Sequence, residues 1–351
     1  MSSTRPAAQP DGSDSGPDPA PVPAAVAVSI PRPSARRAVA ALVLVTAAAL
    51  MPLLGASAAL HGTGEAAAPG AGGIGLLRAV LFAALCVPVG ELLVAHLARR
   101  TPGAPVAQGP RSWAPWAAGA GFVAALGLAS VVATGNLIPR RLAQIDVGGL
   151  YRTRDGSLAL LEVDAFLVAG LCALSRRPVL QVWPLSAVVV AEALRAHPAT
   201  EHSPLVGSGL TLVHLGCAAL WSGGLLHVLR LMAHCRTAPG AGAVLLGGYA
   251  RVAAVLLAAI TATGVWSSLR RMPPDTVLDQ LTTTAYGRTL LAKLLLVAVV
   301  AVLALVARLR LRRAADPLGA CVPARAEVVV LTLVVAVSGL LTALPLPIRW
   351  S

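Results

Sequence analysis

The stretch that decides the fold is "TTTAYGRTLLAKLLLVAVVAVLALVARLR", residues 282–310. From Ala285 it is almost wholly apolar and long enough to cross a bilayer as an α-helix. Lys293 interrupts this run, and it is the only lysine of the chain, since every other member of the 28 Lys and Arg residues is an arginine. A charged side chain inside such a run is costly, so Lys293 is a candidate functional residue.

The composition places the whole chain in a membrane. Its 351 residues are 56% hydrophobic and only 12% charged, with a mean hydropathy of +0.76. Apolar runs of about 20 residues recur along it. We therefore predict an all-α, polytopic integral membrane helix bundle with about nine transmembrane helices. The predicted spans are 38–60, 74–97, 113–135, 158–175, 178–196, 207–231, 244–269, 285–307 and 326–345.

The arginines predict the topology. The net charge of +13 is spread over arginine pairs at the ends of apolar runs, for example 99–100, 176–177 and 312–313, and forms no basic stripe. This pattern argues against nucleic-acid binding and indicates a cytoplasmic N-terminus under the positive-inside rule. We expect a multi-pass protein of the plasma membrane, with the lipid bilayer as its surroundings. Residues 136–156, with four arginines, are predicted to form a short helix or turn on the outer surface.

Three regions are predicted along the chain. Residues 1–37 are rich in Pro, Ser and Ala and are expected to be a disordered cytoplasmic tail. Residues 38–196 would form an N-terminal transmembrane region of about five helices, and 197–351 a second region of about four. The five cysteines have no close spacing that suggests a disulfide framework or a zinc site. No catalytic motif is present, so we do not expect an enzyme.

Among the polar residues inside the predicted spans, we single out six in the half nearer the outer surface. They are Glu162, Asp164, His214, Cys217, Arg288 and Lys293. We expect most of them to converge on one polar passage, with Arg288 directed away toward the outer headgroups. For Lys293 two interpretations remain open: a structural ion pair with Asp164 or Glu162, or a charge that sets the electrostatics of a passage.

Soft donor side chains suggest a copper site. His214 and Cys217 lie three residues apart, on one stripe of a helix with Trp221, and imidazole and thiolate suit Cu(I). The alternative for His214 is a simple hydrogen bond to a neighbouring helix. His197 and His202 fall in an outer loop, where they could capture a metal ion or merely be solvated. Gly223 and Gly224 are expected to allow close helix packing.

The C-terminal third resembles the CopD family of copper-resistance membrane proteins. The resemblance rests on "YARVAAVLLAAITATG" at 249–264, "TTAYGRTLLAK" at 283–293 and "ARAEVVVLTLVVAVSGLLTALP" at 324–345. The preceding helix, with "HLGCAALWSGGL" at 214–225, is also similar to the family. The residues at the family's motif positions are His214, Trp221, Gly223, Gly224, Arg251, Tyr286, Gly287, Arg288, Lys293, Arg325 and Glu327.

The resemblance implies copper uptake across the plasma membrane, beside an extracytoplasmic copper-binding protein. Copper would then be transported or transiently bound. Two rival hypotheses come from other classes of protein. One is electron transfer through a haem held between His96 and His227, which lie near the cytoplasmic ends of their spans. The other is an assembly factor that delivers copper to a respiratory oxidase.

Overall fold

The computed structural model describes residues 56–66, 68–101, 110–135, 137–139, 141, 144–197, 203–234, 239–272, 276–313 and 321–345. Within these ranges the protein is all-α and contains no strand, as predicted. The predicted tail, residues 1–37, lies outside the described residues, as does most of the first predicted span. The predicted division into three regions therefore stays a prediction.

In chain order, the helices of the described residues are α1 (Ala56–Leu60), α2 (Ala71–Arg99), α3 (Ala114–Ala133), α4 (Val147–Arg152), α5 (Arg154–Leu174), α6 (Val182–Arg195), α7 (Pro204–His234), α8 (Pro239–Arg271), α9 (Val277–Thr283), α10 (Ala285–Arg313) and α11 (Cys321–Leu341). One turn of 3-10 helix, Pro178–Gln181, leads into α6.

Six of these helices are long and apolar enough to cross a membrane, judged on the described residues. They are α2, α3, α5, α7, α8 and α10. The chain is therefore a multi-pass membrane protein. The count of nine spans and the side of the N-terminus stay predictions. Helix α6 has only 14 residues, and the side chains of α11 are described only from Arg325 onward.

Local sequence explains the short helix between α3 and α5. Asp146 caps α4 by accepting a hydrogen bond from the amide of Gly149 at 2.9 Å, and Thr153 caps α5 by accepting one from the amide of Gly156 at 3.1 Å. Such side-chain caps satisfy amides that have no partner inside the helix. The short helix predicted within 136–156 is thus present as α4.

Helix α2 is the centre of the bundle, because it packs against α3, α7 and α11. Its contact with α7 is made by Gly90 and Gly223, where a Cβ on either residue would overlap the backbone of the other helix. Small residues let two helix backbones approach in this way in membrane proteins. The predicted packing role is therefore confirmed for Gly223.

Two apolar cores meet along α2 and α7. One core lies among α2, α3, α5 and α6, and the other joins α2 and α7 to the C-terminal helices α8, α10 and α11. Phe166 is fully buried in the first core, and Trp221 is 3% exposed in the second. The second core surrounds the polar residues described next.

Candidate functional site

A cavity of about 240 Å³, with apolar and ionisable side chains in its wall, lies where α7 and α10 begin and α8 and α11 end. Helices α2 and α6 complete its wall. We term it the His214 cavity. Its ionisable lining residues, among the described ones, are Arg78, Cys86, Glu192, His214, Arg271, Tyr286 and Lys293. The sequence-based expectation of a shared polar void is therefore met for His214 and Lys293, which lie on different helices.

The orientation of His214 is set by Thr263 on α8. The Nδ1 atom of His214 lies 3.0 Å from the Thr263 hydroxyl oxygen. That hydroxyl donates its own proton within α8, to the carbonyl of Ala259 at 2.7 Å or of Ile260 at 3.1 Å. We assign this hydroxyl proton to the helix carbonyl, as is usual for a threonine within a helix, so the hydroxyl oxygen accepts from His214. In this assignment Nδ1 carries the imidazole proton and the lone pair lies on Nε2.

This arrangement is the one a metal-binding imidazole requires. A ligating histidine usually donates its second ring N–H to an oxygen atom, which fixes the ring and its tautomer. His214 satisfies that condition through Thr263, and Gly264 lies beside the ring, where a Cβ would come within 3.4 Å of Cε1. Among the described residues, however, no three His, Cys, Asp or Glu side chains are grouped closely enough to hold a metal ion.

Basic groups dominate the wall of the His214 cavity. The Arg78 guanidinium pairs with the Glu192 carboxylate at 3.0 Å. Arg271 donates a hydrogen bond to the Tyr286 hydroxyl at 3.2 Å. Lys293 lies within electrostatic range of both His214 and Arg271, and its ammonium has no hydrogen bond or ion pair with any residue that the structure describes.

The predicted pairing of Lys293 with Glu162 or Asp164 is wrong. Glu162 is fully buried and forms an ion pair with Arg195 at 2.6 Å, because the end of α6 packs beside α5. Asp164 is exposed, and it does not line the His214 cavity. Lys293 lines the His214 cavity instead, and the second interpretation, a charge that sets the electrostatics of a passage, stays a prediction.

Of the three predicted copper ligands that the structure describes, His197, His214 and Cys217, only His214 lines the cavity. Cys217 is half-buried and packs against the core of α7, α8, α10 and α11, and it does not line the His214 cavity. His197 is only 4% exposed, and its Nε2 lies 2.9 Å from the hydroxyl of Thr211. The expectation of a solvated loop ligand is thus wrong for His197, because its ring packs against Gly207 at the start of α7. His202 lies outside the described residues.

A second cavity, of about 260 Å³, lies deeper in the bundle among α7, α8, α10 and α11. Its polar lining includes Tyr249, Arg308 and the buried carboxylate of Glu327, and we term it the Glu327 cavity. Trp221 lines both cavities. The Tyr249 hydroxyl donates to the Trp221 carbonyl, which ties α8 to α7 at this level. Trp221 thus belongs to the wall of both cavities.

Two predicted charge-network residues lie away from both cavities. Arg288 is exposed and donates to the carbonyls of Thr282 and His61, each at 2.8 Å, so it points away from Lys293 as expected. Arg251 is exposed on α8 and lines neither cavity.

A third cavity, of about 720 Å³, is lined mainly by apolar side chains of α2, α6 and α7. His96 and His227 both line it, at the end of the bundle opposite the His214 cavity. The Nδ1 atom of His227 lies 3.9 Å from Glu91, whose carboxylate also receives Arg230 at 3.2 Å. His96 is exposed.

Tyr286, Lys293 and Glu327, which line the two polar cavities, all fall in one C-terminal stretch. Residues 243–341 match the family model of copper resistance protein D, CopD. The resemblance is thus confirmed over this part of the chain, which we term the CopD segment. It implies a copper-related membrane function. No curated protein and no solved structure matches the chain.

The CopD segment supplies only part of each cavity. His214 and Trp221 lie before it on α7, and Arg78 and Glu192 come from the N-terminal helices.

Four residues of the His214 cavity or its support were missed from the sequence: Arg78, Glu192, Thr263 and Arg271. Arg78 and Glu192 are ionisable residues within predicted spans, so the rule that selected Lys293 would have found them. Thr263 gave no signal, because a helix threonine normally bonds its own helix.

Proposed function

We propose that the protein carries copper ions across the plasma membrane into the cell, through the bundle that the CopD segment forms with α2 and α7. The match to CopD supports a copper-related function, and the polar cavities supply a route. On the predicted topology the His214 cavity faces the outside. An extracytoplasmic copper-binding protein would deliver the ion there, with His202 as a capture residue at the entrance.

One observation carries this proposal: Trp221 lines both the His214 cavity and the Glu327 cavity, which follow one another along α7. We take its indole as the barrier between them. A binding protein needs one site, whereas a carrier needs access from both sides with a barrier between them. The aromatic ring is large enough to block an ion, and a small movement of it would join the two spaces. Beyond Trp221 the ion would meet Glu327, a carboxylate buried among apolar helices.

His214 is the copper ligand in the outer space. Its Nε2 lone pair is free of the Thr263 hydrogen bond, and neutral imidazole binds copper well. Binding through few ligands favours low affinity, which suits a conducted ion because it must also leave. Cys217 would join this site only after α7 rotates, because its thiol does not face the cavity.

The test is copper uptake by proteoliposomes of defined orientation that contain the purified protein. His214→Ala should reduce the initial rate of uptake strongly. His96→Ala is the matched control, because it removes an exposed imidazole from the opposite end of the bundle. Equal rates for wild type and His214→Ala would remove His214 from the route, and no uptake by the wild type would refute the proposal. The absence of uptake by the wild type is also the result expected of an assembly factor for an oxidase.

The large apolar cavity favours one second candidate, a haem protein. His96 and His227 both line a space of about 720 Å³, and bis-histidine coordination is a common way to hold haem in a helix bundle. A Soret band in the purified protein that His227→Ala removes would support this candidate. A protein purified from haem-supplemented cells without such a band would refute it.

A further inference from the structure

The wall of the His214 cavity carries more positive than negative charge. Among its described residues three are basic and one, Glu192, is acidic. Arg78 and Glu192 form an ion pair and so offset each other. Arg271 and Lys293 remain, and neither contacts a carboxylate in the part of the chain that the structure describes. A copper cation alone would enter a space that repels it.

The hydrogen-bonding groups show the same bias. Tyr286 accepts from Arg271, and its own hydroxyl proton has no acceptor among the described residues. The hydroxyls of Ser268, Ser338 and Thr342 donate to carbonyls of their own helices, at 2.9, 2.7 and 2.7 Å. The free donors of the cavity, among the described residues, include the Lys293 ammonium, the Tyr286 phenol and the hydroxyls of Ser222 and Ser267, and a negatively charged ligand would satisfy them.

Copper coordination leaves a place for such a ligand. Cu(I) takes two or three ligands; His214 offers one, and Cys86 is the other soft donor residue that lines the cavity. The one carboxylate on the wall, among the residues described, is that of Glu192, whose Oε2 is paired with Arg78. Its Oε1 has no hydrogen-bond partner among those residues. The cavity of about 240 Å³ has room for an ion and a small partner, since a water molecule takes about 30 Å³ in the liquid.

We propose that Lys293, Arg271 and Tyr286 bind a small monovalent anion, a halide or a carboxylate, and that copper occupies the cavity as a complex of this anion with His214. The anion would offset the charge of Arg271 and Lys293 and supply the second copper ligand. The copper part of this inference rests on the proposed function. The anion site does not, because it can be measured without copper.

The first test is equilibrium binding of radioactive chloride and, separately, radioactive acetate to copper-free, full-length protein in detergent. We expect saturable binding of at least one of them, weakened about tenfold or more by Lys293→Gln or Arg271→Gln. Lys293→Arg should retain binding, as should the matched control Arg152→Gln, whose guanidinium is exposed on α4. No saturable binding of either anion by the wild type would overturn the proposal, as would equal binding by both neutral variants.

A second measurement needs no variant. Because Lys293 is the only lysine, modification by an amine-reactive reagent, located by mass spectrometry, reports on this ammonium alone. A bound anion should slow the modification of Lys293, and the rate should fall as the occupancy of the anion site rises. The reference is the rate in a buffer whose only anion is too large to enter the cavity. An unchanged rate at saturating chloride and acetate would show that neither anion sits at Lys293.

Copper uptake then separates the two proposals. Uptake by proteoliposomes should rise with the external concentration of the bound anion, and Lys293→Gln should remove this dependence. A rate of copper uptake that changes neither with the anion concentration nor with Lys293→Gln would overturn the copper–anion complex. It would leave the proposed transport intact. Anion binding without any copper uptake would instead refute transport, and the anion site would stand.

Discussion

Replacing Thr263 by valine should weaken copper binding while leaving His214 in place. Valine has nearly the shape of threonine but lacks the hydroxyl that accepts the Nδ1 proton of His214 at 3.0 Å. Without this acceptor the ring can rotate or change tautomer, and the Nε2 lone pair is no longer fixed toward the cavity. Loss of an outer hydrogen bond to a ligating histidine typically lowers metal affinity about 10–100-fold. That corresponds to about 1.4–2.7 kcal/mol of binding free energy.

The assay is a competition titration of Cu(I) between the purified protein and a chromophoric chelator, under reducing conditions. Thr263→Ser keeps the hydroxyl and should bind like the wild type. The matched control is Thr332→Val, which removes an exposed hydroxyl that bonds its own helix at the carbonyl of Val328 in the same way. Wild-type affinity in Thr263→Val, together with loss of binding in His214→Ala, would refute the orienting role of Thr263. Equal losses in Thr263→Val and Thr332→Val would do the same.

Three further outcomes follow from the packing. Trp221→Ala should join the two polar cavities and raise the rate of copper uptake by proteoliposomes; an unchanged or lower rate in folded protein would contradict a barrier at this residue. Arg195→Gln should lower the free energy of unfolding in detergent by about 3–5 kcal/mol, because it leaves the buried Glu162 carboxylate without its ion-pair partner. The double variant that also carries Glu162→Gln should recover most of the lost stability. Gly223→Ala should cost about 1–3 kcal/mol by forcing α2 from α7, whereas Gly209→Ala, with open space around it, should be nearly neutral.

The sequence was sufficient for the fold class because a bilayer imposes a simple rule. Only helices satisfy the backbone within lipid, so long apolar runs identify them directly. The runs around Lys293 and His214 correspond to α10 and α7. The run 178–196 was harder, because Pro178 begins a 3-10 turn and the regular helix that follows has 14 residues. A hydropathy profile gives the length of an apolar run, but it does not detect a change from a 3-10 turn to an α-helix within that run.

The site was only partly predictable, because the hydrogen-bond and ion-pair partners of its side chains lie on other helices. The sequence does not show which helices are neighbours. The position of Lys293 in an apolar run marked it correctly, but the sequence could not show which carboxylates face it. Glu162 lies at a similar predicted depth and yet pairs with Arg195, since α5 packs directly against α6. Cys217 shared a helical stripe with His214, but about 60° of helical rotation was enough to place it in the core instead.

The choice of lysine in an arginine-rich chain follows from the cavity. An arginine at position 293 would present five N–H donors in a rigid fork, which suits a carboxylate of the protein held in matching geometry. The one carboxylate on the described wall is that of Glu192, and it is paired through Oε2 with Arg78 rather than with a residue of α10. A lysine presents one compact charge on a flexible stem, which can follow a mobile ligand and release it. Replacement by arginine should therefore preserve or strengthen anion binding while slowing copper turnover, a separation that a purely structural lysine would not produce.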